Sequence, residues 1–97
     1  MKMTITKVPS KIKVEKPTAE QLKNLNVTGW PIWTKEPSKF DWHYDEQEIC
    51  YFLEGGVTVE TKEESVTFGK GDLVTFPQGL SCTWNIKRAV KKHYKFG

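Results

Sequence analysis

The sequence has few cysteines and a small apolar share. Two cysteines in 97 residues cannot form a disulfide framework, so we expect a reducing compartment. Hydrophobic residues make up 37% of the chain, and no apolar run approaches the roughly 20 residues of a membrane-spanning helix. The first residues lack the apolar stretch of a signal peptide. We therefore expect a cytoplasmic protein, or one of an organellar stroma or matrix if a transit peptide has been removed.

Arginine is also scarce, since Arg88 stands alone among fourteen lysines. The net charge is +5 over residues 1–39, −7 over residues 40–64 and +5 over residues 65–97. A nucleic-acid-binding protein would not place an acidic block in its middle, and it would use more arginines to read phosphates and base edges. Nucleic acid is therefore not an expected partner, and an accessory role for the lysine-rich ends is the weakest hypothesis.

Aromatic residues are plentiful and supply the apolar area that the composition otherwise lacks. The chain has four Trp, three Tyr and five Phe, so we expect a folded rather than a disordered chain. A chain of this length has room for one core. We predict one domain over residues 1–97, with an N-terminal arm and short helix in 1–29 and a β-barrel in 30–97.

Local patterns predict one helix followed by strands. Thr18 and Gln21 form a capping-box pattern ahead of Leu22 and Leu25, which predicts a helix of two to three turns. Residues 11–16 alternate as a short edge strand. After Gly29, short alternating runs are separated by turns at 55–56, 63–64, 69–72 and 77–79. Seven or eight such strands are typical of an all-β sandwich or barrel.

The strand over residues 40–44 has two different faces. Asp41 and His43 share one face, and Phe40, Trp42 and Tyr44 share the other. We expect the polar face to line the barrel mouth and the aromatic face to point outward. An exposed aromatic face of this size would need a cover. The N-terminal segment and a second subunit are the expected covers, which predicts a homodimer.

Further polar side chains could converge on the same mouth. Glu48 opens the next strand, with Cys50 and Phe52 on its side, and Cys82 follows the turn at 77–79. Carboxylate, imidazole and thiol together form a metal-ligand set, in which the thiolate favours zinc or iron. Trp84 is the aromatic residue expected to line this pocket, whereas His93 lies among lysines and is expected to be exposed.

Two motifs in this sequence resemble those of the cupin family. Asp41-x-His43-x4-Glu48-x6-Gly55 is similar to the first cupin motif, and Gly71-x5-Pro77-x-Gly79-x2-Cys82 is similar to the second. The chain resembles small cupins related to the cupin domain of (S)-ureidoglycine aminohydrolase. The resemblance covers residues 11–96 and implies a double-stranded β-helix, or jelly-roll, barrel. The three motif glycines are expected at turns, with positive φ in at least one case.

The resemblance also implies a site in the barrel mouth, where cupins bind a metal through three His and one Glu. His43 and Glu48 match two of these ligands, while Asp41 and Cys82 stand where the other two histidines would be. The expected metal ligands are His43, Glu48, Cys82 and Asp41. Glu48 and Cys82 are the expected catalytic residues, and the expected pocket-lining residues are Asp41, Cys50, Phe52 and Trp84.

Two principal functions follow from this prediction, and enzymatic activity is left open between them. The first is a small-molecule-binding cupin that acts as a metal-dependent enzyme on a small nitrogenous or carboxylate compound. Its cofactor would be one divalent ion of Zn, Fe, Mn or Ni. The alternative is a binding or structural module that has the same pocket, no catalysis and no metal.

Overall fold

The computed structural model describes residues 11–97. One short α-helix, α1 (Ala19–Leu25), leads into a 3-10 turn at Val27–Gly29. The strands are β1 (Lys13–Glu15), β2 (Ile32–Lys35), β3 (Ser38–His43), β4 (Glu48–Glu60), β5 (Ser65–Gly69), β6 (Leu73–Phe76) and β7 (Ser81–Phe96). No helix among residues 11–97 is long and apolar enough to cross a membrane.

The predicted helix and its cap are confirmed. The Thr18 hydroxyl accepts a hydrogen bond from the Gln21 backbone N–H at 3.1 Å, and the Gln21 side chain accepts one from the Thr18 N–H at 2.8 Å. These two bonds satisfy donors that a helix start leaves unpaired. Asn26 ends α1 in the left-handed conformation. The helix buries none of its residues, so its cap matters more to it than its packing.

Two long antiparallel strands organise the sheet. β4 pairs with β7 along nearly its whole length, from Glu48 opposite Phe96 to Glu60 opposite Thr83. On its other edge, β4 pairs with β5 and β6, and on its other edge β7 pairs with β2 and β3. β1 pairs with β6. Over residues 11–97, the predicted all-β barrel with one short helix is therefore confirmed.

The predicted turn at Gly55-Gly56 is wrong, because β4 continues through these residues. The pairing of β4 with β7 shifts register between Phe52 and Val57, which is a β-bulge that bends the strand. Gly55 has φ +132° there, in a region that side chains rarely adopt. Positive φ is thus confirmed at Gly55, and it also occurs at Gly71 and Gly79.

Replacing Gly55 with Ala is expected to cost about 3 kcal/mol of unfolding free energy. An alanine at this position would be held at a strained φ, and its Cβ would lie 3.0 Å from Val90 Cγ2. Gly71→Ala is the matched control, because φ is +88° but nothing lies within 4 Å of its Cβ, so about 1 kcal/mol is expected. Chemical denaturation measures both. Equal losses in the two variants would contradict the role given to the bulge.

The predicted orientation of the 40–44 strand is wrong. Phe40 pairs directly with Trp84, and Trp42 with Cys82, and directly paired residues share a sheet face. Tyr44 is buried and Phe40 packs against the core, while Asp41 and His43 are exposed. The aromatic face buries much more apolar area than the polar face could, so it takes the interior. The homodimer prediction loses this support and stays a prediction.

Candidate functional site

The inward-facing aromatic residues enclose a cavity between β2, β3, β4 and β7. Its volume is about 150 Å³. We call it the aromatic cavity, and its lining residues are Trp33, Phe40, Trp42, Tyr44, Glu48, Trp84, Lys92, Tyr94 and Phe96. Trp42 and Phe96 are each 50% exposed, so they form its rim. Trp33, which is partly buried, lies deeper in the lining.

A buried ion pair lies at this cavity. Lys92 Nζ donates a hydrogen bond to Glu48 Oε2 at 3.2 Å. The two residues are 4% and 5% exposed, so the interaction has little solvent screening. Both point inward because they occupy alternate positions of β4 and β7 that also carry Cys50, Phe52 and Val90 to the core. A charge this deeply buried is stable only with its partner in place.

Cys50 completes the network around these two charges. Its Sγ donates to Glu48 Oε2 at 3.3 Å and accepts from Lys92 Nζ at 3.2 Å. Burial raises the pKa of the Cys50 thiol to about 12, with Glu48 adding to this rise and Lys92 opposing it. Cys50 is therefore a thiol at neutral pH and serves the pair as a hydrogen-bonding group.

Aromatic rings surround the remaining sides of the Lys92 ammonium group. Nζ lies 4.8 Å from the ring centroids of both Trp33 and Trp84, and 5.8 Å from that of Phe52. Such contacts are worth about 2 kcal/mol when the cation is desolvated. The rings thus replace part of the hydration that burial removes from Lys92.

Tyr44 supplies a second polar atom to the cavity wall. Its hydroxyl accepts a hydrogen bond from Trp84 Nε1 at 3.1 Å, and its ring stacks on Phe76 at 4.8 Å. Burial, followed by the nearby Glu48 charge, raises the pKa of Tyr44 far above its usual value. Tyr44 is therefore neutral, and its O–H proton remains available as a donor.

The predicted ligand set is divided between two places. Glu48 lies at the aromatic cavity, whereas Asp41 and His43 line a separate surface groove. Cys82 also contributes to the lining of that groove, but its side chain is buried and packs in the core. In that groove His43 Nδ1 lies 2.7 Å from Ser81 Oγ, and Thr83 donates to Asp41 Oδ1 at 2.8 Å. The prediction that the Asp41 and His43 side chains face the barrel interior is therefore wrong.

The described residues do not fit the metal site that the resemblance implied. Across residues 11–97, no three His, Cys, Asp or Glu side chains are grouped so that they could hold a metal ion. Glu48 is already paired with Lys92, and burial, with Asp41 adding, raises the pKa of Cys82 to about 11. Cys82 is thus a thiol at neutral pH, which disfavours it as a ligand or a nucleophile.

Of the remaining predicted pocket residues, Trp84 lines the cavity and Phe52 lies under the Lys92 ammonium. Sequence reasoning missed Lys92, although Val90, Lys92 and Tyr94 alternate in step along β7. It also placed His93 at the surface, which is wrong. His93 is buried, and its Nδ1 lies 2.9 Å from the Trp30 carbonyl oxygen.

Comparison with known proteins identifies a protein family and solved structures to which this chain is similar. The model of the EutQ-like cupin domain family matches residues 22–94. A DUF861 family protein from Thermotoga maritima is 53% identical, with a TM-score of 0.88 over 90% of this chain and all of the other. No relative is found among curated proteins.

Two more distant structures share the fold. The EutQ protein of Clostridium difficile is 20% identical, with a TM-score of 0.62 over 67% of this chain and 52% of that protein. A putative ethanolamine utilization protein Q from Salmonella typhimurium is 22% identical, with a TM-score of 0.60 over 91% of this chain and 70% of the other. The predicted cupin membership is confirmed at this level: the chain belongs to the EutQ-like cupin family.

Proposed function

We propose that this cupin binds a small, planar, nitrogenous molecule in the aromatic cavity and recognises an amide-like group on it. The observation that carries the proposal is a pair of polar atoms in the cavity wall. Among residues 11–97, the hydrogen bonds of Glu48 involve Oε2 only, and the Tyr44 O–H proton has no acceptor. An amide group offers both an N–H donor and a C=O acceptor, so it complements these two atoms.

The size and lining of the cavity favour a ligand with a single ring or a short planar skeleton. About 150 Å³ is close to the volume of an engineered protein cavity that binds benzene. Phe40 and Trp84 stack on each other with an interplanar angle of 14°, and flat aromatic walls favour flat ligands. The half-exposed rim at Trp42 and Phe96 gives the ligand a route from solvent.

The charge balance of the cavity favours a neutral ligand. Lys92 and Glu48 neutralise each other, so a carboxylate or an ammonium ion would enter with an unpaired charge. The resemblance of the two sequence motifs to small cupins related to the (S)-ureidoglycine aminohydrolase cupin domain also favours a nitrogenous ligand. In this proposal the site operates without a metal, and Glu48 is the residue that contacts the reacting or recognised nitrogen.

Benzamide and benzoate are suitable probes because they share a ring and differ in the group presented to Glu48. We expect wild-type protein to bind benzamide at least tenfold more tightly than benzoate in isothermal titration calorimetry. Glu48→Gln removes the charge that neutralises Lys92, so the preference should reverse in favour of benzoate by about tenfold or more, the effect of one charge-assisted hydrogen bond.

Asp41→Asn is the matched control, since it removes the same charge from the surface groove. Both affinities should then stay at their wild-type values. The proposal is contradicted if neither probe binds at millimolar concentration, if wild type prefers benzoate, or if Asp41→Asn shifts the preference as Glu48→Gln does.

A further inference from the structure

We infer that Lys92 is the resident cation of this barrel and supplies the positive charge that the cupin resemblance assigns to a metal ion. The inference concerns the same cavity as the proposed function but does not depend on any ligand. Glu48 is the residue that connects the two assignments, because the motif predicts it as a metal ligand and the structure pairs it with an ammonium group.

Hydrogen-bond acceptors and aromatic rings among the described residues surround Lys92 Nζ, and both kinds of group stabilise a cation. An ammonium group has three N–H donors. One is directed to Glu48 Oε2 and one to Cys50 Sγ, both at 3.2 Å. Trp33, Trp84 and Phe52 present ring faces to the same nitrogen. Among residues 11–97, Glu48 is the only formal negative charge lining the aromatic cavity, and Lys92 is the only formal positive charge there.

A metal ion would have to displace this arrangement. A divalent ion at Glu48 would lie beside a buried ammonium group, and their repulsion in a poorly solvated cavity would be strong. His43 and Asp41 could not compensate, because they are exposed on the other face of β3. Two motif histidines are replaced by Asp41 and Cys82. Their replacement is consistent with a site in which Lys92, rather than a metal ion, supplies the positive charge.

The first test removes the cation and then supplies it from solution. Lys92→Ala deletes a segment equivalent to propylammonium and leaves Glu48 buried without a partner. We expect the melting temperature to fall by roughly 15 °C or more. Propylammonium chloride should recover several degrees in this variant, while 1-propanol, which fills the same space without charge, should recover much less.

Lys92→Met is the control for access, because its side chain keeps the space filled and should show no recovery. Equal recovery of Lys92→Ala by propanol and propylammonium would overturn the inference, since Lys92 would then serve packing alone. Wild-type protein should respond to neither compound.

The second test measures metal content and begins with the wild-type protein. Wild-type protein purified without a histidine tag, after growth with added Mn, Fe, Zn and Ni, should contain far less than one metal ion per chain. One equivalent of metal that disappears in Glu48→Gln would overturn the inference. Either result is independent of whether benzamide binds, so failure of this inference and failure of the proposed function are distinguishable.

Discussion

Lys92→Met is expected to lower the free energy of unfolding by about 3–5 kcal/mol, the usual cost of leaving one member of a buried ion pair alone. The loss has two sources. Glu48, at 5% exposure, retains no described cation beside it, and Cys50 Sγ loses its donor. Urea denaturation followed by tryptophan fluorescence gives this quantity directly.

An exposed lysine provides the comparison. Lys13 pairs with Glu15 at 2.9 Å, but its side chain is 67% exposed. Lys13→Met should therefore change stability by no more than about 1 kcal/mol. Losses of similar size at positions 13 and 92 would mean that the Lys92–Glu48 pair is not desolvated as the structure shows.

Removing both charges separates the pair energy from the cost of an orphaned charge. The double variant Glu48→Leu, Lys92→Met leaves no buried charge and keeps similar volume, so it should regain most of the stability that Lys92→Met loses. The double variant being less stable than Lys92→Met alone would contradict this account.

Trp84→Ala is the other large expected effect, at about 3–5 kcal/mol. Trp84 lies at the centre of the barrel, where its ring centroid is within 6.5 Å of five other rings, those of Trp33, Phe40, Phe52, Phe68 and Phe76. It also donates to Tyr44 and faces Lys92. The variant therefore loses packing, a hydrogen bond and a cation–π contact at once, as thermal unfolding should show.

Trp42→Ala is the matched control because Trp42 lines the same cavity but is 50% exposed. Its loss should be below about 1.5 kcal/mol, since half of the side chain is already in water. If Trp42→Ala lowers the free energy of unfolding as much as Trp84→Ala, then Trp42 does not lie at a solvent-exposed rim of the cavity.

The sequence was most informative where local chemistry decides the structure. Thr18 and Gln21 lie three residues apart and cap the helix they predict. Gly55 and Gly71 have the positive φ that their motif positions require. The alternation of polar and apolar residues also identified the strands and the all-β fold class. These features depend on neighbouring residues, so one sequence contains the information.

Sequence reasoning failed where the answer depends on a distant strand. Alternation over residues 40–44 defines two faces but does not say which one turns inward, and the register against Trp84 decides that. Lys92 follows Lys91 and precedes Lys95 by three positions, a pattern typical of solvated lysines. Its burial depends on Glu48, 44 residues away. Sequence reasoning therefore identified Glu48 and Trp84 as site residues. It missed Lys92, the only buried cation of the site among the described residues.

The most direct test of the central claim, that a ligand binds in the aromatic cavity, is NMR detection of the four tryptophan indole N–H signals during benzamide titration. Trp33, Trp42 and Trp84 line the aromatic cavity, whereas Trp30 lines a different surface groove. We expect saturable shifts of the Trp33, Trp42 and Trp84 signals and no shift of the Trp30 signal. Shifts confined to Trp30, or absent from all four, would contradict this claim.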